Sequence, residues 1–266
     1  AEAGRQPRTQ LAVTLLAPER QAVNEQLKRA GGAVRMADGI EVRIQGRVRW
    51  YGPRGVVQLR MHGIDPAFTL GRLQADRDRI LAELAADGLL ERNASLAVPA
   101  VPLRLALITS RNSAAHADVL GELRSSGLSF TVLDHDARTQ GIDAGASITM
   151  ALRAAALQQV DLVLLVRGGG ARTDLAAFDT AVVARAIAQM DVPVFTGIGH
   201  EVDRSIADEV AGQAHKTPTA AAAAVVTRVR SFVDRVDAQA ANLHRAVTRS
   251  LVVAADRLAD RSQRTG

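Results

Sequence analysis

Four short apolar runs, each leading through a polar loop toward an amphipathic helical stretch, limit what this chain can fold into. They are Leu103–Thr109, Phe130–Leu133, Val160–Val166 and Val192–Thr196. Largely apolar runs of this length suit strands covered on both faces, whereas a half-exposed strand alternates apolar with polar residues. The intervening segments, one through Leu123, one from about Ala146 to Leu157 and one from about Asp174 to Met190, carry helical periodicity. Strand and helix in alternation predict an α/β unit, a parallel sheet flanked by helices in the Rossmann-like manner.

Sheets of this kind bind ligands at the carboxyl ends of their strands, where strand-to-helix loops and helix N-termini gather. The residues following each run are therefore the informative ones. After the first come Ser110, Arg111, Asn112 and Ser113, then His116 and Asp118. After the second come Asp134, His135 and Asp136; after the third, Arg167, Gly168, Gly169 and Gly170; after the fourth, Gly197, Gly199, His200, Glu201 and Asp203. Three glycines behind a buried strand let backbone N–H groups approach an anion, and Arg167 adds a planar charge matched to phosphate. The pattern is neither a P-loop nor a dinucleotide fingerprint. His200 can exchange protons near neutral pH, and Asp203 can orient it or bind a metal. Asp208 suits a solvated face or a helix-to-loop hydrogen bond slightly better than a direct role in the chemistry, and His116 and His135 suit surface or capping duty. One imidazole among carboxylates is compatible with Mg²⁺, but no metal-binding spacing is present.

The N-terminal part reads differently. Between Gly39 and Ile64 two alternating runs flank Gly52-Pro53-Arg54-Gly55, the pattern of a β-hairpin. Arg43, Arg47, Arg49, Arg54 and Arg60 decorate it, and Trp50 and Tyr51 are the only Trp and Tyr in the chain. Arginines interleaved with aromatics suit single-stranded nucleic acid, as in oligonucleotide-binding barrels; the alternative is an ordinary hairpin with Trp50 in its core. A helix over Leu70–Leu90 follows as a connector. At the other end, Val226, Val229, Val233, Val236, Ala240, Leu243, Val247, Leu251, Ala254 and Leu258 trace a coiled-coil seam with one slip after Val247. Such a stripe needs a partner helix or the body of the protein.

Composition narrows the class. Lys and Arg number 33 against 28 acids, a net charge of +5, which favours anionic partners. Cysteine is absent, so neither disulfides nor zinc thiolates hold the fold. No apolar run approaches the roughly 18 residues of a membrane span, and the opening residues do not form a signal peptide, so a cytoplasmic protein is expected. The chain starts on alanine and ends within a helical pattern, which leads us to expect further segments.

Three blocks, V-R-G-G-G-A-R-T-D-L-A-A-F-D, P-V-F-T-G-I-G-H-E-V-D-R-S-I-A-D and K-T-P-T-A-A-A-A, resemble in order and spacing the signature blocks of the exodeoxyribonuclease VII large-subunit family. The hairpin G-R-V-R-W-Y-G-P-R-G-V-V-Q-L-R and the segment L-A-L-I-T-S-R-N-S-A-A-H-A-D-V-L are similar to that family as well, so the resemblance covers about residues 34 to 225. It implies an oligonucleotide-binding barrel, here partial, over residues 1–69; a helical connector over 70–98; an α/β catalytic domain over 99–222; and the start of a coiled coil over 223–266. The first barrel strands are not recognisable in residues 1–33.

The same resemblance implies hydrolysis of single-stranded DNA to oligonucleotides. Asp118, Arg167, His200 and Asp203 would be catalytic, with Gly168, Gly169, Gly170, Ser110, Arg111 and Thr217 around the phosphate. Arg47, Arg49, Trp50, Tyr51 and Arg54 would lie on the nucleic acid. A small helical subunit would bind the C-terminal helix, and Mg²⁺, where used, would fall to Asp118 and Asp203. The chain departs from the family pattern at Ala171, Thr173, Ala176 and Lys216. These departures motivate a rival reading, a catalytically impaired single-strand-binding or assembly subunit of the same fold.

Overall fold

The computed structural model describes residues 11–29, 41–168, 175–199 and 204–264. In chain order its elements are β1 (Ala12–Thr14), α1 (Ala17–Arg29), β2 (Arg43–Tyr51), β3 (Val56–Asp65), α2 (Pro66–Ala86), β4 (Arg104–Thr109), α3 (Ala114–Ser125) and β5 (Thr131–Asp136). There follow α4 (Ala144–Ala156), β6 (Leu162–Val166), α5 (Ala181–Ala188), β7 (Val194–Gly197), α6 (Ile206–Val210), β8 (Gln213–Ala214) and α7 (Pro218–Arg264).

The four apolar runs become β4, β5, β6 and β7 of a five-stranded sheet, ordered β5-β4-β6-β7-β8 and parallel throughout. Their side chains divide by parity, as a pleat requires. Leu105, Leu107, Leu162, Leu164, Val166 and Phe195 point to one face, where α3 and the first turns of α7 cover them with Val119, Leu123, Ala221, Val225 and Val226. Ala106, Ile108, Val163, Leu165 and Val194 point to the other, beneath α4, α5 and α6. Every residue of β6 is fully buried. Burying each of its leucines and valines contributes on the order of 2 kcal/mol, so this strand alone is a large share of the core.

β8 was not expected from the sequence. It has only two residues and no apolar run, and it exists because the exposed edge of β7 offers backbone partners, with Phe195 against Gln213 and Thr196 against Ala214. The expected helix ending at Met190 is shorter in the structure, where α5 starts at Ala181. The expected helix over Leu70–Leu90 starts earlier, because Asp65 caps Pro66 as the first helical residue and accepts the Phe68 N–H at 3.3 Å.

The N-terminal strands correct one expectation. Among the described residues β1, β3 and β2 form an open three-stranded sheet and do not close into a barrel. β1 pairs parallel with β3, and β2 pairs antiparallel with β3 through the predicted hairpin. Helix α1, also unexpected, packs Val23 against Met61 and Ile64 and accepts the Ile64 N–H on Gln26 Oε1 at 3.0 Å. The short β1 and the largely polar α1 gave too weak a periodicity to be recognised from residues 1–33.

The connector is tied into the α/β body. Ile80 and Leu84 of α2 enter its core, and Arg77 pairs with Glu209 of α6 at 3.0 Å. Beyond α2, the fully buried Asn93 acts as a hydrogen-bond hub: its Nδ2 donates to Val192 O at 3.0 Å and Ile187 O at 3.4 Å, while its Oδ1 accepts the Val194 N–H at 2.9 Å. At the other end α7 runs 47 residues; it is packed on the body through Val229, and from Val233 onward its described side chains are exposed.

Asn93→Ala leaves the Val194 N–H and two carbonyls without partners in a closed interior, each such loss costing about 1–3 kcal/mol. Urea unfolding should show the midpoint falling by the equivalent of about 3 kcal/mol with an unchanged slope, the signature of lost stability rather than altered compactness.

Candidate active site at the carboxyl edge of the parallel sheet

The order β5-β4-β6-β7-β8 places a topological switch between β4 and β6: the chain leaves β4 for β5 on one side and returns to β6 on the other. In sheets of this order the loops part at such a switch, and ligands bind at the carboxyl ends of the two strands. Arg167 follows β6 at this point, 1% exposed, with its backbone N–H donating to Gly197 O at 3.2 Å. Gly168 lies against the N-terminus of α3, where an added Cβ would stand 3.7 Å from both Ala115 N and Ala115 Cβ. The phosphate-binding expectation for Arg167 and Gly168 therefore coincides with a helix N-terminus, where unpaired N–H groups favour an anion.

The surrounding loops are braced. Ser113 caps α3 by accepting the His116 N–H at 3.2 Å, and Asp118 lies one turn further on, exposed. His116 Nε2 meets Asp134 Oδ1 at 3.2 Å, which ties α3 to β5. The Ser110 hydroxyl donates to Ala137 O at 2.9 Å and meets Thr139 Oγ1 at 3.1 Å; Arg111 donates its backbone N–H to Asp136 Oδ1 at 2.8 Å. Thr217 Oγ1 accepts the Ala220 N–H at 3.0 Å, so this residue caps α7 at the same edge. Gly169, Gly170, His200 and Asp203 lie outside the described residues.

Gly197 and Gly199 have distinct structural reasons. A Cβ on Gly197 would fall 2.8 Å from Thr217 O and 3.1 Å from Pro218 Cα, so only glycine lets the end of β7 pass beneath the start of α7. Gly199 has φ +80°, a left-handed conformation, and faces Lys216 O. The segment leading toward His200 is thus pressed against the loop between β8 and α7.

Asp208 belongs to the frame of the site. Its Oδ1 accepts from Thr196 Oγ1 at 2.5 Å and its Oδ2 from Ser205 N and Oγ at 3.0 and 2.8 Å, while its own N–H donates to Ser205 Oγ. This capping box at α6 clamps the far end of the loop to β7. Among the readings left open by the sequence, these contacts match the helix-to-loop hydrogen bond.

His215, missed in the sequence, sits at the carboxyl end of β8. Its backbone N–H donates to Thr196 O at 2.9 Å, its ring tilts against Phe195 with centroids 5.4 Å apart, and its Nε2 is buried without a hydrogen-bond partner among the described residues. Burial pushes its pKa down, and the negative charge of Asp208 opposes that shift. No strand was recognised in front of it, so nothing in the sequence placed it on this edge.

The hairpin residues grouped in the sequence separate in the structure. Strand alternation puts Arg47, Arg49 and Tyr51 on one face and Val48 and Trp50 on the other. Trp50 is 67% exposed, which removes the reading that buries it in a hairpin core. The side chain of Arg54 lies outside the described set. Among the described residues no group of three or more His, Asp or Glu side chains gathers as a divalent cation requires, and no helix is long and apolar enough to cross a membrane.

Because the folded state favours neutral His215, the unfolded chain binds its proton first as pH falls. The contribution of this residue is therefore flat above about pH 7, and stability is lost as pH drops below the ordinary value of 6.5 through the lower folded pKa. Thermal unfolding of wild type and His215→Gln between pH 8 and pH 5 should show a smaller acid-side decline for the variant; parallel curves would remove His215 from that decline.

Comparisons with known proteins bear on the chain as a whole. The family model described as exonuclease VII, large subunit, matches residues 89–265. A protein of Vibrio parahaemolyticus named exodeoxyribonuclease 7 large subunit is 37% identical over 200 residues, covering 75% of this chain and 45% of that protein. Its namesake from Bordetella avium is 36% identical over 247 residues, 87% of this chain and 54% of the relative. The one from Nitrosomonas europaea is 41% identical over 186 residues, 70% and 41%. The chain spans about half the length of the relatives it matches. With a matching model over most of its length and relatives above one-third identity, the chain belongs to the exonuclease VII large-subunit family.

Proposed function

We propose that this chain carries the catalytic unit of an exodeoxyribonuclease that hydrolyses phosphodiester bonds of single-stranded DNA. The observation that supports this most directly is the buried Arg167 followed by Gly168 at the strand-order switch, beside the N-terminus of α3. A guanidinium and backbone N–H groups held in a low-dielectric crevice offset the charge that grows on a phosphoryl group as water attacks it. In this reading Gly169 and Gly170 serve the same phosphate through their backbone N–H groups, with Ser110, Arg111 and Thr217 around it.

In this reading Asp118 positions the attacking water, His200 transfers its proton, and Asp203 holds the imidazole in one tautomer. The water oxygen bonds to phosphorus as the bond to the leaving sugar oxygen breaks, and that oxygen ends protonated. Mg²⁺, where used, would be held by Asp118 and Asp203 and would supply further charge stabilisation. The exposed Asp118 leaves room for such an ion.

The division into 1–69, 70–98, 99–222 and 223–266 follows the same reading, with the open N-terminal sheet as part of an oligonucleotide-binding module and the cytoplasm as the compartment. The exposed stripe of Val233, Val236, Leu243, Val247 and Leu251 on α7 is the surface for a small helical subunit. An apolar stripe this long is costly to leave in water and suits a partner helix at coiled-coil spacing.

Two experiments test the proposal. Release of acid-soluble fragments from labelled single-stranded DNA, with and without EDTA and with the small subunit present, should fall by about 10²–10⁴-fold in His200→Ala, the usual range for loss of a general acid or base, while binding persists. Binding without release by the wild-type chain would instead support the impaired, assembly-type reading motivated by Ala171, Thr173, Ala176 and Lys216. Separately, Leu243→Asp with Leu251→Asp should abolish co-elution with the small subunit while leaving the thermal transition of the α/β body in place.

A further inference from the structure

The basic face of the hairpin holds an acid of its own. Arg47, Arg49, Arg60 and His62 line a cup of about 350 Å³, and Glu19 of α1 reaches into it. Strand register sets Arg47 directly opposite Arg60, an arrangement of like charges that costs energy unless an anion lies nearby. Glu19 is that anion for Arg60 alone. Arg47 and Arg49 have no ion pair among the described residues, so of three guanidinium groups around the cup only one is paired with its carboxylate.

The pair is also incomplete. Arg60 Nε and Nη2 both donate to Glu19 Oε1, the first at 3.0 Å, while Oε2 is buried with no hydrogen-bond partner among the described residues. This is not the two-oxygen fork that makes Arg–carboxylate pairs strong. Hydrogen bonding from Arg60 holds the Glu19 pKa below the ordinary carboxylate value, so the side chain is charged at neutral pH. Helix α1 does not rely on it for anchorage, since Val23 is buried and Gln26 accepts the Ile64 N–H.

We propose that Glu19 occupies a phosphate position: it is a built-in competitor for the nucleic-acid backbone in the Arg47–Arg49–Arg60–His62 cup. A phosphodiester brings two acceptor oxygens and a full negative charge. It can bridge Arg60 to Arg47, which the single engaged oxygen of Glu19 does not. The carboxylate thereby weakens capture of any one phosphate and lets a strand move on through the cup without being trapped. The inference rests on the reading of the hairpin as a nucleic-acid face.

The test is the affinity of the full chain for a labelled oligothymidylate across a salt series. Glu19→Gln keeps the side chain's shape and removes its charge; it should bind severalfold tighter, with a salt slope steeper by about 0.7, the single-strand value for one more neutralised phosphate. Arg47→Gln with Arg49→Gln should weaken binding and flatten the slope. If the arginine variant binds like wild type, the hairpin is not a nucleic-acid face and the inference falls with that reading. If it weakens binding while Glu19→Gln is unchanged or weaker, with the thermal transition intact, the competitor role alone is overturned. Should Glu19→Gln fail to fold, Glu19→Asp, shortened away from Arg60, provides the same comparison and should bind between wild type and the expected Gln value; wild-type affinity there would also overturn the role.

Discussion

Strand β6 has no solvent face, and the rest of the α/β unit is arranged around that fact. Leu162, Leu164 and Val166 need α3 and α7 on one side, while Val163 and Leu165 need α4, α5 and α6 on the other. Five consecutive apolar residues need cover on both faces, and here helices supply it on each side, the arrangement that parallel strands joined by helical returns produce. The residue that follows β6 is then delivered to the rim with no freedom to retreat. Arg167 is buried there because the sheet's core continues to its doorstep, and its charge acts in surroundings that screen it poorly.

Legibility in the sequence follows the same physics. β4, β6 and β7 could be read because two-sided burial imposes apolar residues on consecutive positions, and α3 and α4 because one-sided burial imposes a helical period. β8 could not, because Gln213 and Ala214 are drawn into the sheet by the backbone edge of β7 and bury no side chain of their own in its core. His215 was lost with it. Asp208 was half legible: an acid three residues after Ser205 fits a capping box, but its bond to Thr196 depends on a distance between segments that no local pattern contains.

The N-terminal region shows where analogy exceeded pattern. Alternation predicted β2 and β3 correctly, and the arginines and aromatics suggested a barrel, yet the described strands make an open sheet. Alternation reports that a strand has two unlike faces; it does not report what covers them. Val48, Trp50 and Val57 on one face of that sheet remain exposed, while the other face carries the arginines. Grouping Trp50 with Arg47 and Arg49 by nearness in sequence set together residues that a pleat drives apart.

The two basic regions solve different electrostatic problems. At the rim, Arg167 is buried and bounded by loops fixed through Asp208, Ser110 and Ser113, a rigidity suited to stabilising charge at one point. On the hairpin, Arg47 and Arg49 are exposed, their long stems are free to move, and an acid shares their field. Solvent and salt weaken each such contact, so a chain of phosphates can exchange among them quickly. If the chain acts on single-stranded DNA as proposed, the asymmetry has a use, because a surface that gripped every phosphate as firmly as the reacting one would hold the strand in place. Helix α2, 21 residues long and docked on the α/β body through Ile80, Leu84 and the Arg77–Glu209 pair, joins the two regions, so that under the proposed function loose contacts on the hairpin would feed a tight one at the rim.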